Sequence, residues 1–220
     1  MERTKDLPRV RRNSYKGIEE LRREFAPRKA RIQKRIAEFA RVRPAEHFYE
    51  LIYCLLTPQS SAIHAGIAVA KLEAARLLGS DIDVASVLRE KDSYIRFHNT
   101  KARRIHEVEA QFPEIASALS DGRSGCELRE WLVRNVKGLG WKEASHFLRN
   151  ICHHDLAILD RHILRNLKRH NVIRSIPKTL TGRLYLVIEK KFREFSATVG
   201  IAMDELDLLF WSRETGEILK

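Results

Sequence analysis

The stretch VKGLGWKEASHFL, Val136 to Leu148, sets two glycines one residue apart, then a tryptophan and a lysine at the mouth of a helical run. Ala144, Phe147, Leu148 and Ile151 recur at i, i+3, i+4 and i+7, the spacing of a helix with one buried face. Upstream, Leu128, Trp131 and Leu132 form a second stripe, so helices are expected from Glu127 to Val136 and from Trp141 to Cys152. Lys137-Gly138-Leu139-Gly140 is left as a tight connection between them. Glycine suits a turn that needs positive φ or lets backbone approach a ligand closely, and Leu139 between the two can anchor the turn in a core. Residues 127–152 therefore read as a helix-hairpin-helix. Its amides, with the N-terminus of the following helix, can hold an anion such as a DNA phosphate without touching a base, although the same pattern also serves as an ordinary helix connection.

Helical spacing extends to the rest of the chain. Leu51, Ile52, Leu55 and Leu56 form another stripe with steps of three and four, whereas period-two alternation is nearly absent, so the fold class is all-α. Pro44, Pro58, Pro113 and Pro177, with glycines, punctuate the chain into about ten helices. No window approaches the run of about 18 apolar residues that a membrane span requires. The N-terminus is charged where a signal peptide is apolar, so an intracellular, cytoplasmic location is expected. Cys54, Cys126 and Cys152 are scattered and odd in number, which predicts reduced thiols and neither a disulfide framework nor an iron-sulfur ligand set. His153 and His154 are adjacent, point apart and lack an accompanying ligand set, so no metal site is expected there.

The charge distribution points to a polyanion. The sequence has 41 Lys and Arg against 29 Asp and Glu, net +12. From Met1 to Arg43 there are 15 basic and 6 acidic residues, and from Arg161 to Arg193 there are 10 basic residues against the single Glu189. Such blocks bind phosphates by counterion release, which makes nucleic acid the leading partner; a solvated basic face is the plainer alternative. Residues 1–43 are read as a basic N-terminal helical segment and 44–220 as the main domain.

Two residues carry candidate chemistry. Lys142 sits in the first turn of its helix, where the macrodipole disfavours a cation. That field, with partial burial, favours the uncharged amine that a nucleophile needs, while a phosphate-binding surface lysine is the alternative. Eighteen residues later, LAILDRH ends an apolar run at Asp160 and opens a basic helix. Asp160 is an N-cap by position, a sufficient role in itself. A capped carboxylate in the 155–162 loop also suits stabilisation of positive charge developing on a sugar, or relief of a nearby ammonium of its proton.

With these residues in place the sequence resembles the helix-hairpin-helix DNA glycosylase superfamily, and within it the small 8-oxoguanine DNA glycosylase/lyase type of archaea and some bacteria. The resemblance rests on KGLGWKEASHFLRN, LAILDRH, ELIYCLLTPQSSA and the terminal DELDLLFWSRETGEILK, and spans about Glu50 to Lys220. The segment before Arg43 finds no counterpart in it. The resemblance implies two helical subdomains flanking a DNA-binding cleft, and a monomeric bifunctional DNA repair enzyme acting on double-stranded DNA that contains oxidised guanine. Lys142 and Asp160 fall on the catalytic pair: the lysine displaces the flipped base, forms a Schiff base and cleaves the strand by β-elimination. No cofactor is required, although a monovalent cation at Lys137, Gly138, Leu139 and Gly140 is allowed. Gln59 would fill the gap left by the flipped nucleotide. The terminal carboxylate of Lys220 would accept the N1 and N2 protons of a guanine edge, and Trp211 and Phe97 would supply flat faces for the base, with His98 as substitute for Phe97. Lys101, Arg103 and Arg104 are candidates for phosphate contacts. Three readings compete: an endonuclease III-like glycosylase for oxidised pyrimidines without its cluster, a lyase acting only on abasic sites, and a noncatalytic DNA-binding module, which has no use for Lys142 paired with Asp160.

Overall fold

The apolar stripes of the sequence close into two hydrophobic cores. In the computed structural model, which describes residues 15–218, eleven α-helices follow one another. They are α1 (Ile18–Phe25), α2 (Lys29–Phe39), α3 (His47–Leu56), α4 (Ala62–Ala74), α5 (Val84–Arg89), α6 (His98–Ser120), α7 (Gly125–Asn135), α8 (Trp141–Asn150), α9 (Arg161–Arg169), α10 (Gly182–Val199) and α11 (Met203–Thr215). No strand occurs among the described residues, and no helix there is long and apolar enough to cross a membrane. The first core gathers α3 to α8 around Phe48, Leu51, Ile105, Leu132, Phe147 and Leu148. The second gathers α1, α2, α9, α10 and α11 around Leu21, Ile32, Leu167, Phe192, Phe195 and Phe210.

Residues 18–39, which composition sets apart as a basic segment, are therefore built into the second core. Leu21, Phe25, Ile32 and Phe39 are buried in it, Gln33 donates to Glu205 on α11 at 2.9 Å, and Glu24 pairs with Arg213. The boundary at residue 43 thus cuts through a core, because the apolar face of these helices outweighs their basic outer face in deciding where they lie. Pro113 likewise does not end a helix: it lies inside α6, whose buried Ile105, Val108 and Ile115 keep the helix on the first core across the missing amide hydrogen bond. The start of α7 also differs from the spacing-based expectation. Ser124 caps it, with Glu127 reaching back in a capping box, so the helix begins two residues before Glu127.

The two cores meet at a buried ion pair. Arg129 of α7 makes a two-pronged contact with Glu189 of α10, one nitrogen to Oε1 at 2.9 Å and the other to Oε2. The guanidinium also donates to Ser145 Oγ at 3.2 Å and lies over the Trp141 and Tyr185 rings. Glu189 Oε2 accepts the Ala157 N–H at 2.9 Å as well. Both side chains are almost wholly out of water; Glu189 has a second, longer contact with Arg193 at 3.7 Å, whereas the Arg129 charge depends on Glu189. Glu189→Gln is expected to lower unfolding stability by about 3–5 kcal/mol in urea denaturation, because it strands the Arg129 charge. Replacing both residues with apolar ones of similar volume should recover much of that loss.

Candidate active site

α8 is buried along nearly its whole length from Ala144 to Asn150, yet it carries a polar stripe at Lys142, His146 and Arg149. Steps of four and three place those three on one face. They line a cavity between the two cores together with Tyr53 and Thr57, Ile158 and Asp160 from the loop before α9, and Asp207, Leu208 and Trp211 from α11. Its free space is about 440 Å³ with the open mouth included.

The turn that delivers Lys142 behaves as the glycine spacing suggests, with one difference. Gly138 takes φ +100°, a conformation that favours glycine, while a Cβ there would come within 2.8 Å only of the movable Arg104 side chain. Leu139 is 5% exposed and anchors the turn. Gly140 has an ordinary extended conformation, φ −92° and ψ −179°, and as N-cap of α8 leaves the first amides of that helix without a side-chain cap. Lys137 stays exposed, 3.4 Å from Glu107 Oε1. α8 itself ends at Asn150, short of Cys152, which takes a left-handed φ of 73°.

Asp160 caps α9, as its position in the sequence implies. One oxygen accepts the His162 and Ile163 N–H groups, each at 2.8 Å. The other accepts the Trp211 indole N–H at 3.0 Å. Both carboxylate oxygens are thereby engaged, and the group is fixed at the cavity wall. Within ion-pair distance of Lys142 Nζ stands Glu143, at 3.0 Å, rather than Asp160.

Asp207 is the residue that sequence reading missed. It lies at the cavity, buried, with Oδ2 3.2 Å from an Arg149 nitrogen and Oδ1 without a hydrogen-bond partner among the described residues. Burial pushes its carboxyl up to about 7 against the pull of Arg149, and the nearby Asp160 and Asp204 carboxylates push the same way as burial. The signal was present: Asp207 and Trp211 are four residues apart on one face of α11, and an acid inside DLLFW has few bland uses. His146 and Arg149 were legible in the same way from their spacing to Lys142.

Other expected site residues fall elsewhere. Gln59 is exposed on the turn between α3 and α4 with a left-handed φ of 57°. Phe97 does not line the cavity; it is 51% exposed, has φ 61° at the N-cap of α6, and lies under the Arg96 guanidinium. His98, its substitute, begins α6 and does not line the cavity either. Lys101 is not a surface phosphate ligand, because it is 5% exposed and its ammonium is taken up by protein oxygens. Arg103 is exposed, while Arg104 packs on Gly138. Lys220 lies outside the described residues. The three cysteines form no disulfide, and no group of three or more metal-type side chains assembles, among the described residues.

A lysine on a hairpin and an aspartate capping the next helix, turned to one cavity between two helical cores, place the chain in the helix-hairpin-helix class of DNA glycosylases. Comparison with known proteins resolves the family. The 8-oxoguanine DNA glycosylase family model matches residues 32–201. The 8-oxoguanine DNA glycosylase/AP lyase of Fusobacterium nucleatum subsp. nucleatum is 37% identical, aligned over 96% of this chain and 100% of its own length. That of Methanocaldococcus jannaschii is 40% identical over 93% of this chain and 98% of its own. A crystal structure of the M. jannaschii protein with a 15mer DNA containing 8-oxoguanine superposes with a TM-score of 0.84, at 36% identity over 92% of this chain and 99% of that one. The 8-oxoguanine DNA glycosylase of Thermotoga maritima gives 0.83 at 33% identity, covering 92% and 98%. The chain belongs to the 8-oxoguanine DNA glycosylase family. Alignment over 96% of the chain also gives most of the segment before Arg43 the counterpart that motif matching did not find.

Substitution separates the capping by Asp160 from the catalytic role expected of it. Asp160→Asn keeps an oxygen for the α9 amides but turns its NH2 toward the Trp211 N–H, so unfolding stability is expected to fall by about 1 kcal/mol, whereas Asp160→Ala should lose the cap as well, about 1–2 kcal/mol more. Excision by Asp160→Asn is expected to fall by about 10²-fold or more in single-turnover assays.

Proposed function

We propose that this chain excises 8-oxoguanine from duplex DNA and then cleaves the strand at the resulting abasic site. The observation that carries the reading is that Lys142 and Asp160 face one cavity whose wall includes the Trp211 ring. The phosphate backbone would be held by the basic surface and by the uncapped amides of α8 at the hairpin, which fix position without reading sequence. The backbone carbonyls of Lys137 to Gly140 are hard oxygen ligands that suit an alkali-metal ion, with the Val136 carbonyl already accepting the Leu139 N–H at 3.2 Å. No step depends on such an ion.

With the damaged nucleotide flipped into the cavity, the neutral Lys142 amine attacks C1′ as the N9–C1′ bond breaks and the base leaves with the electron pair. The fixed carboxylate of Asp160 stabilises the positive charge that develops on the sugar. Ring opening gives the Lys142 Schiff base, which makes the C2′ hydrogen acidic. Loss of that proton expels the 3′ phosphate, and water then releases the lysine. Gln59 would enter the stack where the nucleotide has left. Acting on duplex DNA, the enzyme would work in the cytoplasm at the nucleoid, and as a monomer, since one cleft uses one Lys142.

Base choice rests on donors and acceptors. 8-Oxoguanine carries a hydrogen on N7, where guanine has a lone pair, and Asp207, a cavity-lining residue whose buried Oδ1 has no hydrogen-bond partner among the described residues, would accept it once the base has entered. The Lys220 carboxylate would take N1 and N2, and the Trp211 face would carry the ring.

Borohydride trapping on a duplex with one 8-oxoguanine tests the reading. A covalent band is expected with wild type, none with Lys142→Gln, and a weaker one in a chain lacking Lys220. A band on an oxidised pyrimidine or bare abasic duplex but not on 8-oxoguanine would keep the lysine chemistry and discard the substrate. Absence of trapping on all three would discard the enzyme. Asp207→Asn is expected to lower excision of 8-oxoguanine by about tenfold or more, a charged hydrogen bond's worth. In wild type the acceptor is charged above pH 7 and lost as pH falls through about 7, so discrimination between 8-oxoguanine and guanine should weaken below that point.

A further inference from the structure

We propose that Lys101 is a positioning residue: its buried ammonium clamps the turn from Thr57 to Ser61, so that Gln59 is presented to the DNA in one fixed conformation. The proposal rests on the lyase reading above and on Gln59 as the residue that enters the stack.

Lys101 stands in the first turn of α6, where a cation is disfavoured by that helix's own dipole, and it is almost wholly buried. Its Nζ donates to Leu56 O at 2.7 Å, Pro58 O at 2.7 Å and Ser60 Oγ at 3.2 Å. Leu56 is the last residue of α3, so the ammonium meets the negative end of that helix and then two successive points of the turn beyond it. All three ammonium hydrogens have acceptors. Between the second and third lies Gln59, whose φ of 57° is a conformation that L-residues rarely adopt. Ser60 extends the clamp, since its Oγ also accepts the Arg96 N–H at 3.0 Å. Arg96 immediately precedes Phe97, which is also exposed and left-handed. One ammonium and one hydroxyl thus tie together the two turns that project Gln59 and Phe97.

A buried lysine spent on a surface turn is costly unless the turn's shape matters. The charges facing it agree with that cost: burial, Lys142 from α8 and Arg104 from its own helix all disfavour the ammonium, and Glu143 from α8 favours it. Its titration falls to about 8. The neutral amine has two hydrogens for three acceptors, so the clamp is complete below that pH and loses a bond as pH rises through it.

β-Elimination at an abasic site, measured under single-turnover conditions on a duplex and on a single strand, isolates the clamp. Only the duplex has a widowed base and a stack to hold open, and the Lys142 chemistry cancels in the ratio of rates. Lys101→Met is expected to lower the duplex-to-single-strand ratio about tenfold, the scale of one charged hydrogen bond. Gln59→Ala should lower it by a similar factor, and adding Lys101→Met to Gln59→Ala should change it little. Losses that simply add, or a wild-type ratio in Lys101→Met, overturn the proposal. Should Lys101→Met fail to fold, the pH profile decides: the wild-type ratio is expected to fall through about pH 8 and to stay flat in Gln59→Ala. A flat wild-type profile overturns the clamp, as does a wild type inert on both abasic substrates, whereas inactivity on 8-oxoguanine alone counts only against the base proposed above.

Discussion

The Arg129 guanidinium reaches from the first core into the second to meet Glu189, and both catalytic candidates take their positions from that contact. On one side, Arg129 lies against Trp141, the residue before Lys142, and donates to Ser145 one turn further along α8. On the other, Glu189 accepts the Ala157 N–H, while the Tyr185 hydroxyl accepts the Leu159 N–H and donates to Ala157 O. The run from Leu156 to Leu159 is buried but belongs to no helix or sheet, so its polar backbone would be stranded without these side chains. Asp160 is the next residue. A single ion pair therefore sets the hairpin and the aspartate loop against each other, and it can do so only because both charges are shut away from competing water.

Around this fixed frame the chain keeps polar groups where stability alone would remove them. Lys142 and Lys101 both occupy first turns of helices, against the dipole. α8, whose burial would suit an apolar helix, keeps His146 and Arg149 on its cavity face. Asp207 is buried with one oxygen unanswered, a rarity that commonly marks a working site. Each departure lies at the cavity or at the turns beside its mouth, which is the distribution expected when local consistency is given up for chemistry.

Much of this was legible in the sequence, for physical reasons that differ from residue to residue. The hairpin could be read because the turn's demand for Gly138 and the two flanking stripes are local. Asp160 could be read because N-capping is local as well. Lys101 and Phe97 were misplaced because their surroundings come from far along the chain. A lysine in a basic run looks solvated until the α3 carboxyl end is folded over it, and a lone aromatic gives no sign of whether it faces a cavity or solvent. Glu189 looked like a stray acid in a basic block, since its partner lies 60 residues away. Pro113 misled in the opposite sense: a local rule was overridden by burial of the helix face on either side of it.

The same distinction settles what the N-terminal helices do. Their basic surface suggests a handle for DNA, but their inner face supports the cavity floor. Phe39 of α2 lies under the Arg149 guanidinium, whose centre is 4.7 Å from the ring centroid, and Arg149 is what faces the Asp207 carboxylate. An ion pair in a buried cavity holds its geometry only if the guanidinium cannot swing away, and here an aromatic ring occupies the space into which it would move. The support then runs inward, from the Phe39 ring to Arg149 and from Arg149 to the Asp207 carboxylate at the cavity. The segment that composition alone marks as an appendage is in this way the outermost layer of the cavity's support.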